Sequence, residues 1–369
     1  MEKQISIYNT YIAANAAERV AEILRSTFIS EGKQVKAFEQ ELTLYLSIRN
    51  PVALNSGTTA LHLAMDLAGI GEGDEVILPA QTFVATGLVI LQQKAKPVFA
   101  DINYEDGNIS VQSIKQKITD KTKAILCVHW GGYPCDMDAI HAIAKDHNLI
   151  VIEDAAHALG ASYKNKSIGS ISHYTCFSFQ AIKHITTGDG GAIATTDESK
   201  YKEALAKRWF GINREASVPT ELGERSYDIA ALGYKYHMND YAAALGLANL
   251  DGFKERLLHR KKIAQLYNEQ LKNIAGLQLF SYDSSRESAN WLHGMHVQNR
   301  LGFTRKLKSH GITASVIHQR IDRNSVFKGL TKDLVSQEKF EETQIHIPVH
   351  DAITMDDAEY IIKTIKNGW

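Results

Sequence analysis

Cysteine is scarce in this chain: Cys127, Cys135 and Cys176 are the only three in 369 residues. They are too few and too scattered for a disulfide framework or a zinc site, and they read as small buried hydrophobes. Proline is rare as well, with six residues, and there is no Pro-rich linker, internal repeat or low-complexity stretch. Charge of one sign is missing too: 41 Lys and Arg against 42 Asp and Glu leave a net charge of −1. A nucleic-acid binder normally carries a basic excess, so no nucleic-acid partner is expected. No apolar run approaches the roughly 20 residues a membrane helix needs, so no membrane association is expected. Met1-Glu2-Lys3-Gln4 lacks the basic-then-apolar pattern of a signal peptide. The expected location is the cytoplasm.

The composition that remains is that of a soluble globular protein, 44% hydrophobic and 22% charged. The length allows a large core and two domains. Short apolar runs alternate with helical patterns through the first two-thirds: Pro51–Leu54, Val76–Pro79, Pro97–Ala100, Ala124–His129, Leu149–Glu153, Tyr174–Phe179 and Ala192–Thr195. Near-continuous apolar runs suit strands buried on both faces, and alternation with helices argues for a mostly parallel α/β sheet. In Thr59–Ala68 the apolar residues Ala60, Leu63, Ala64 and Leu67 share one helical face. A long amphipathic helix is predicted from Phe253 to Ile274, with its basic run Lys254–Lys262 on a solvated face. Beyond it come extended runs at Met295–Gln298, Thr313–Ile317 and Gln344–Ile347, a helix around Thr304–Ser309, and a last helix from Asp356. The reading is a large domain over 1–250 and a smaller α+β domain over 251–369.

Four segments at strand ends carry chemistry. In Ser178-Phe179-Gln180-Ala181-Ile182-Lys183 a strand ends and a lysine follows, before the Gly188-Asp189-Gly190-Gly191 turn into the next strand. A lysine held there can reach a cofactor aldehyde, and burial would favour the neutral amine that a Schiff base needs. A solvated loop lysine is the plain alternative. In Val151-Ile152-Glu153-Asp154-Ala155-Ala156-His157 an acid sits at a strand's carboxyl end, where open α/β sheets bind ligands. It can partner a protonated pyridine nitrogen, or cap a helix, or do both. Asn55-Ser56-Gly57-Thr58-Thr59 starts a helix whose free amides and hydroxyls can cradle a phosphate; a simple cap would look the same. Pro79-Ala80-Gln81-Thr82-Phe83 offers a ring that could stack on a pyridine face or join the core.

Taken in order, these segments resemble the sugar aminotransferase family known as DegT/DnrJ/EryC1/StrS, within the aspartate-aminotransferase fold type of pyridoxal-phosphate enzymes. The resemblance runs from Phe28–Glu39 to His346-Ile347-Pro348-Val349-His350. The Ser-Phe-x-x-x-Lys-x-x-x-x-Gly-Asp-Gly-Gly block is highly specific. It implies fold type I, with a seven-stranded mostly parallel sheet and a smaller C-terminal α+β domain. It implies that Lys183 carries pyridoxal phosphate as an internal aldimine and later shuttles the proton, with pyridoxamine phosphate formed during turnover. Asp154 would pair with the ring nitrogen, His157 would sit by the ring hydroxyl and Phe83 would stack on the ring. Gly57, Thr58 and Ser178 would hold the phosphate. The implied reaction moves an amino group, usually from glutamate, to a keto group of a nucleotide-linked deoxysugar, in a homodimer with shared active sites.

The chain also departs from the family pattern. Gly233-Tyr234-Lys235-Tyr236-His237-Met238 stands where the family has Gly-Tyr-Asn-Tyr-Arg-Met, so Lys235 or His237 would replace the Asn that reaches the neighbouring subunit. Ile317-His318-Gln319-Arg320-Ile321-Asp322-Arg323-Asn324 replaces a Tyr/His-Pro stretch that faces the sugar. His318 and Arg320 are the candidate substrate contacts there, Arg320 because an arginine suits bidentate phosphate binding; a solvated loop is the alternative. Relatives with His at the lysine position are pyridoxamine-dependent sugar dehydratases, and other members were proposed as non-enzymatic regulators. Lys183 favours the transaminase, with His184 beside it as the one evident substitute base. Gly69–Gly73 reads as a helix-to-strand turn and not a nucleotide loop. His346 and His350 lack a third ligand, so no metal site is expected.

Overall fold

Successive residues of each central strand enter different cores. On one strand Ala124 and Leu126 belong to one apolar cluster, while Ile125 and Cys127 belong to another on the opposite face. This is the period-2 geometry of a sheet buried on both sides. Each fully buried Leu or Ile there contributes roughly 1.5–3 kcal/mol. The computed structural model describes residues 4–214 and 217–369. The reading of a leader on Met1, Glu2 and Lys3 lies outside them.

The sheet has seven strands: β1 (Val52–Leu54), β2 (Glu75–Pro79), β3 (Lys96–Ala100), β4 (Thr122–Val128), β5 (Ile150–Asp154), β6 (Tyr174–Ser178) and β7 (Gly191–Thr195). Their order is β1-β7-β6-β5-β4-β2-β3. Only β7 runs against its neighbours. Helices α1 (Ala16–Ser26), α2 (Lys33–Leu46), α3 (Gly57–Leu67), α4 (Ala85–Gln92), α5 (Val111–Lys117), α6 (Met137–Asp146), α7 (Glu198–Lys207) and α8 (Asp240–Leu250) accompany it. Residues of α2, α5, α6 and α8 fill the core on one face, and residues of α3, α4 and α7 fill the other. This is an α/β fold with a seven-stranded mostly parallel sheet.

The later part of the chain holds α9 (Phe253–Gln270), β8 (Leu277–Leu279), β9 (His293–Val297), α10 (Arg300–Lys308), α11 (Val335–Thr343), β10 (Gln344–Ile347) and α12 (Met355–Lys366). The strands form an antiparallel sheet ordered β8-β9-β10. Ile263, Tyr267, Met295, Phe303, Ile347 and Ile361 share one core with Ile5, from near the chain's start. A smaller cluster of Ile102, Trp130, Phe280, Trp291, Leu292 and Phe340 links this region to the large sheet.

Three local expectations are corrected. Thr313–Ile317 is not a strand: Ser315 alone bridges to His346, because the backbone turns over at Ile317, where φ is 65°. Helix α10 starts four residues earlier than expected, since the Asn299 side chain accepts from the Gly302 N–H as N-cap. The basic run on α9 is not uniformly solvated. Arg260 is buried in an ion pair with Asp351, and Arg256 donates to the Asn249 and Asp251 carbonyls. Among the described residues no helix is long and apolar enough to cross a membrane. Among the same residues no group of three or more His, Cys, Asp or Glu is gathered to hold a metal ion.

Candidate active site

The carboxyl ends of β1, β2, β4, β5 and β6 and the start of β7 share one edge of the sheet, and the loops leaving it enclose a cavity of about 300 Å³. Ser56 ends the first of these loops as N-cap of α3, its hydroxyl accepting from the Thr59 N–H at 3.0 Å. The amides of Gly57 and Thr58, in the first turn, have no intrahelical acceptor. Both residues line the cavity with Ser178. The loops meet so closely that two glycines are obligatory. A Cβ on Gly57 would lie 2.8 Å from the Ser178 Cβ, and one on Gly191 would lie 2.3 Å from the Ser56 carbonyl oxygen. The first turn of a helix with two free amides and flanking hydroxyls favours a phosphate.

Asp154 ends β5 with its carboxylate buried. One oxygen accepts from the Thr86 hydroxyl at 2.8 Å and the other from the Ala156 N–H at 3.1 Å. Thr86 is braced in turn by Thr82 at 2.7 Å. Burial raises the carboxyl's pKa; the hydrogen bonds from Thr86 and Ala156 and the charge of Lys183 pull against that rise. Among the described residues no Lys, Arg or His forms an ion pair with Asp154. A buried acid without a cation is suited to receive a protonated ring nitrogen from a ligand.

Lys183 enters from the loop between β6 and β7. The side chain is half-buried in the cavity wall, and burial lowers its pKa to about 7 against the opposing pull of Asp154. Its Nζ lies 3.9 Å from the ring centroid of Trp291. The Trp291 indole N–H donates to the Ile182 carbonyl at 3.0 Å, immediately before the lysine. The His157 ring stacks on Trp291 with centroids 3.7 Å apart. Trp291 therefore touches the lysine's backbone, its amine and its neighbouring imidazole. His184 does not face the cavity: its ring is buried, with Nε2–H donating to the Ala289 carbonyl at 2.9 Å. Burial, with Arg260 adding to it, lowers its pKa to about 3. The role of substitute base suggested by its place in the sequence is not available to it.

Phe83, 54% exposed, and His318 flank the opening, their rings 5.3 Å apart. Arg320 does not line the cavity, against the expectation that it recognises substrate. It is 1% exposed and forms a bidentate pair with Asp322 at 2.8 and 2.7 Å, with a further bond to the Thr331 carbonyl. Two residues on, Asp322 is near enough to claim the guanidinium before any ligand can. Arg320→Ala should therefore lower stability by roughly 3 kcal/mol, by leaving Asp322 buried and unpaired. Thermal melting checks this, and a lowered affinity for substrate without a fall in Tm would refute it.

The candidates Gly57, Thr58, Phe83, Asp154, His157, Ser178, Lys183 and His318 thus surround one cavity, and Arg320 stands apart. These residues fit pyridoxal phosphate: the free amides and hydroxyls at the start of α3, a buried acid and a lysine of lowered pKa all line the one cavity. A sequence profile described as the DegT/DnrJ/EryC1/StrS aminotransferase family matches residues 10–366. The chain belongs to this family. The GDP-perosamine synthase of Escherichia coli O157:H7 is 38% identical over 282 residues, covering 76% of this chain and 75% of the relative. The sugar aminotransferase CalS13 from Micromonospora echinospora superposes with a TM-score of 0.94 at 30% identity, covering 98% of this chain and 99% of that one. Spr1654 of Streptococcus pneumoniae, solved in its PLP form, superposes at 0.89 with 30% identity, covering 99% and 98%, and it is also known in a PMP form. As a member of the DegT/DnrJ/EryC1/StrS family the protein is a nucleotide-sugar aminotransferase, and the family implies pyridoxal phosphate as cofactor.

Trp291, Thr82, Thr86 and Asp189 also line the cavity and were not singled out in the sequence. Thr82 and Thr86 carried a usable signal, two hydroxyls four apart at a helix start. Trp291 carried none, since a tryptophan just before an apolar strand reads as core.

Proposed function

We propose that the enzyme transfers an amino group from glutamate to the keto carbon of a nucleotide-linked deoxysugar, as a homodimer in the cytoplasm. In this reading Lys183 would hold pyridoxal phosphate, which would supply the carrier for the amino group, as pyridoxamine phosphate. The observation that carries it is the pairing, across one cavity, of a lysine with a lowered pKa and a buried acid without a cation. Bound there, the cofactor supplies a cationic ring that withdraws electrons from the carbon bearing the amino group. Asp154 would hold the ring nitrogen protonated. Once released, Lys183 is neutral in an appreciable fraction at neutral pH, and so would move the proton between that carbon and C4′ of the cofactor. Phe83 would cover the ring, His157 would sit at its hydroxyl, and Gly57, Thr58 and Ser178 would hold the phosphate. Trp291 would restrain Lys183 and exclude water beside it.

The dimer is supported by large apolar side chains left in solvent, among them Phe28 at 83%, Leu222 at 90% and Leu232 at 86% exposure. Of the two candidates for reaching a partner's site, Lys235 fits better. It is exposed and lies over Trp209, whereas His237 is buried against that ring. The three cysteines are free thiols, as a reducing compartment permits. A screen of nucleotide-linked ketosugars with glutamate, read by mass spectrometry, should give an amino sugar and 2-oxoglutarate in equal amounts. Light scattering of the same sample should give twice the chain mass. Amino-sugar formation by a monomer would refute the shared site, and no product from any ketosugar would refute the acceptor class.

A further inference from the structure

The loop that replaces the family's Tyr/His-Pro stretch contains a backbone conformation that needs a reason. Ile317 has φ of 65°, in the left-handed region that a β-branched residue rarely enters. The His318 N–H donates to the Val316 carbonyl at 2.8 Å, which closes a three-residue γ-turn of the strained hand around Ile317. Such a conformation persists only where its surroundings over-determine it. Here they do. The Ile317 side chain packs against the cluster of Trp130, Trp291 and Leu292. Its N–H donates to the Ser315 hydroxyl at 3.1 Å. The His318 carbonyl is held by the side-chain amides of Gln81 at 3.1 Å and Gln344 at 3.4 Å. Gln81 is itself fixed by Gln337 at 3.0 Å.

We propose that this turn is a positioning device: Ile317, pegged into the apolar cluster, fixes the His318 imidazole at the cavity mouth, where it binds a hydroxyl of the sugar. The inference rests on the nucleotide-sugar reading of the site. The His318 ring lies 5.3 Å from Phe83, 6.0 Å from Trp130 and 6.2 Å from His157 by centroid, so aromatic neighbours restrict its rotation while it still lines the cavity. Burial, with the charge of Lys183, lowers its pKa to about 4, so the ring is neutral at working pH. The ring's one N–H is drawn to the Ile317 carbonyl, which leaves the acceptor nitrogen for the cavity; an acceptor matches the O–H of a sugar and not the oxygens of a carboxylate or phosphate. The donor amino acid therefore has no use for His318, and the sugar does.

The test uses the holoenzyme and follows loss of the cofactor's yellow absorbance in single turnovers started by glutamate or, in the reverse direction, by GDP-perosamine. Ile317→Gly, which frees the turn and removes the peg, should raise the half-saturating amino-sugar concentration about tenfold, the loss of roughly one hydrogen bond. The glutamate half-reaction should stay within about twofold, because no donor contact is lost. His318→Ala should show the same split, and the double variant should be no worse than His318→Ala alone, since both changes remove one contact. Ile317→Val, which keeps a branched peg, should recover most of the loss. A crystal structure of Ile317→Gly should show the imidazole swung away from Phe83. Equal slowing of both half-reactions, additive losses in the double variant or an unmoved ring would overturn the proposal. If wild type responds to glutamate and not to the amino sugar, the substrate reading is at fault, and the ring position in the crystal still decides the role of the turn.

Discussion

Lys183→Ala should leave a folded protein whose transamination falls by roughly a thousandfold or more, because it removes both the attachment point and the mobile base. The fold should survive because the side chain lies in a loop at the cavity wall, half-buried, with its amine over the Trp291 ring. Asp154 and the start of α3 remain, so the variant should still take up cofactor without a covalent bond. Borohydride should fix the cofactor to Lys183 in wild type and to nothing in the variant. Among the described residues that line the cavity there is no second lysine to take over the attachment. His184 is turned into the core with its Nε2–H on the Ala289 carbonyl, and it is the only basic neighbour in the sequence. The lowered lysine pKa adds a pH signature. The amine is protonated and unreactive below about 7 and neutral above it. Uptake of pyridoxal phosphate by the apoprotein should therefore rise through neutral pH and level off well below the 10.5 of an ordinary lysine. A variant that still transaminates well, or a reduced adduct on another lysine, would refute the assignment.

Asp154→Asn should reduce transamination by roughly 10²- to 10³-fold while cofactor stays bound. An amide cannot keep the ring nitrogen charged, so the ring loses its pull on the electrons released at the amino carbon. The local structure can accept the change. The Asn oxygen can still take the Ala156 N–H, and the Thr86 hydroxyl can turn toward Thr82 and accept from the new amide. Removing a buried charge that has no ion-pair partner should leave apoprotein stability unchanged or slightly raised. Activity and stability thus move independently, which separates a chemical role from a structural one. Near-normal turnover would reduce Asp154 to a turn cap.

The order in which these residues became legible follows from the range of the forces involved. Strand ends, caps and glycine turns are local, written in a few neighbouring residues. The seven sheet strands, Ser56 as cap of α3, and the glycines around Lys183 could therefore be read from the chain. The loop after a parallel strand always emerges at the carboxyl edge of the sheet, so residues in such loops converge whatever the rest of the fold does. That is why Gly57, Phe83, Asp154, His157, Ser178 and Lys183, spread over more than a hundred positions, surround one cavity.

What the sequence determined by itself is this edge of the sheet, with its lysine, its acid and the helix start at Gly57, because period and turn chemistry are enough to place them. What the tertiary structure alone decided is how the edge is covered. Trp291 comes against Lys183 from more than a hundred residues away, through the packing of the apolar cluster that links the two sheets. His318 faces the opening and Arg320 turns away because one strained turn and one buried carboxylate, Asp322, set their directions. His184 faces the core although it adjoins Lys183, because the Ala289 carbonyl accepts its Nε2–H. Side-chain direction in a loop depends on partners distant in the chain, and no local pattern records them.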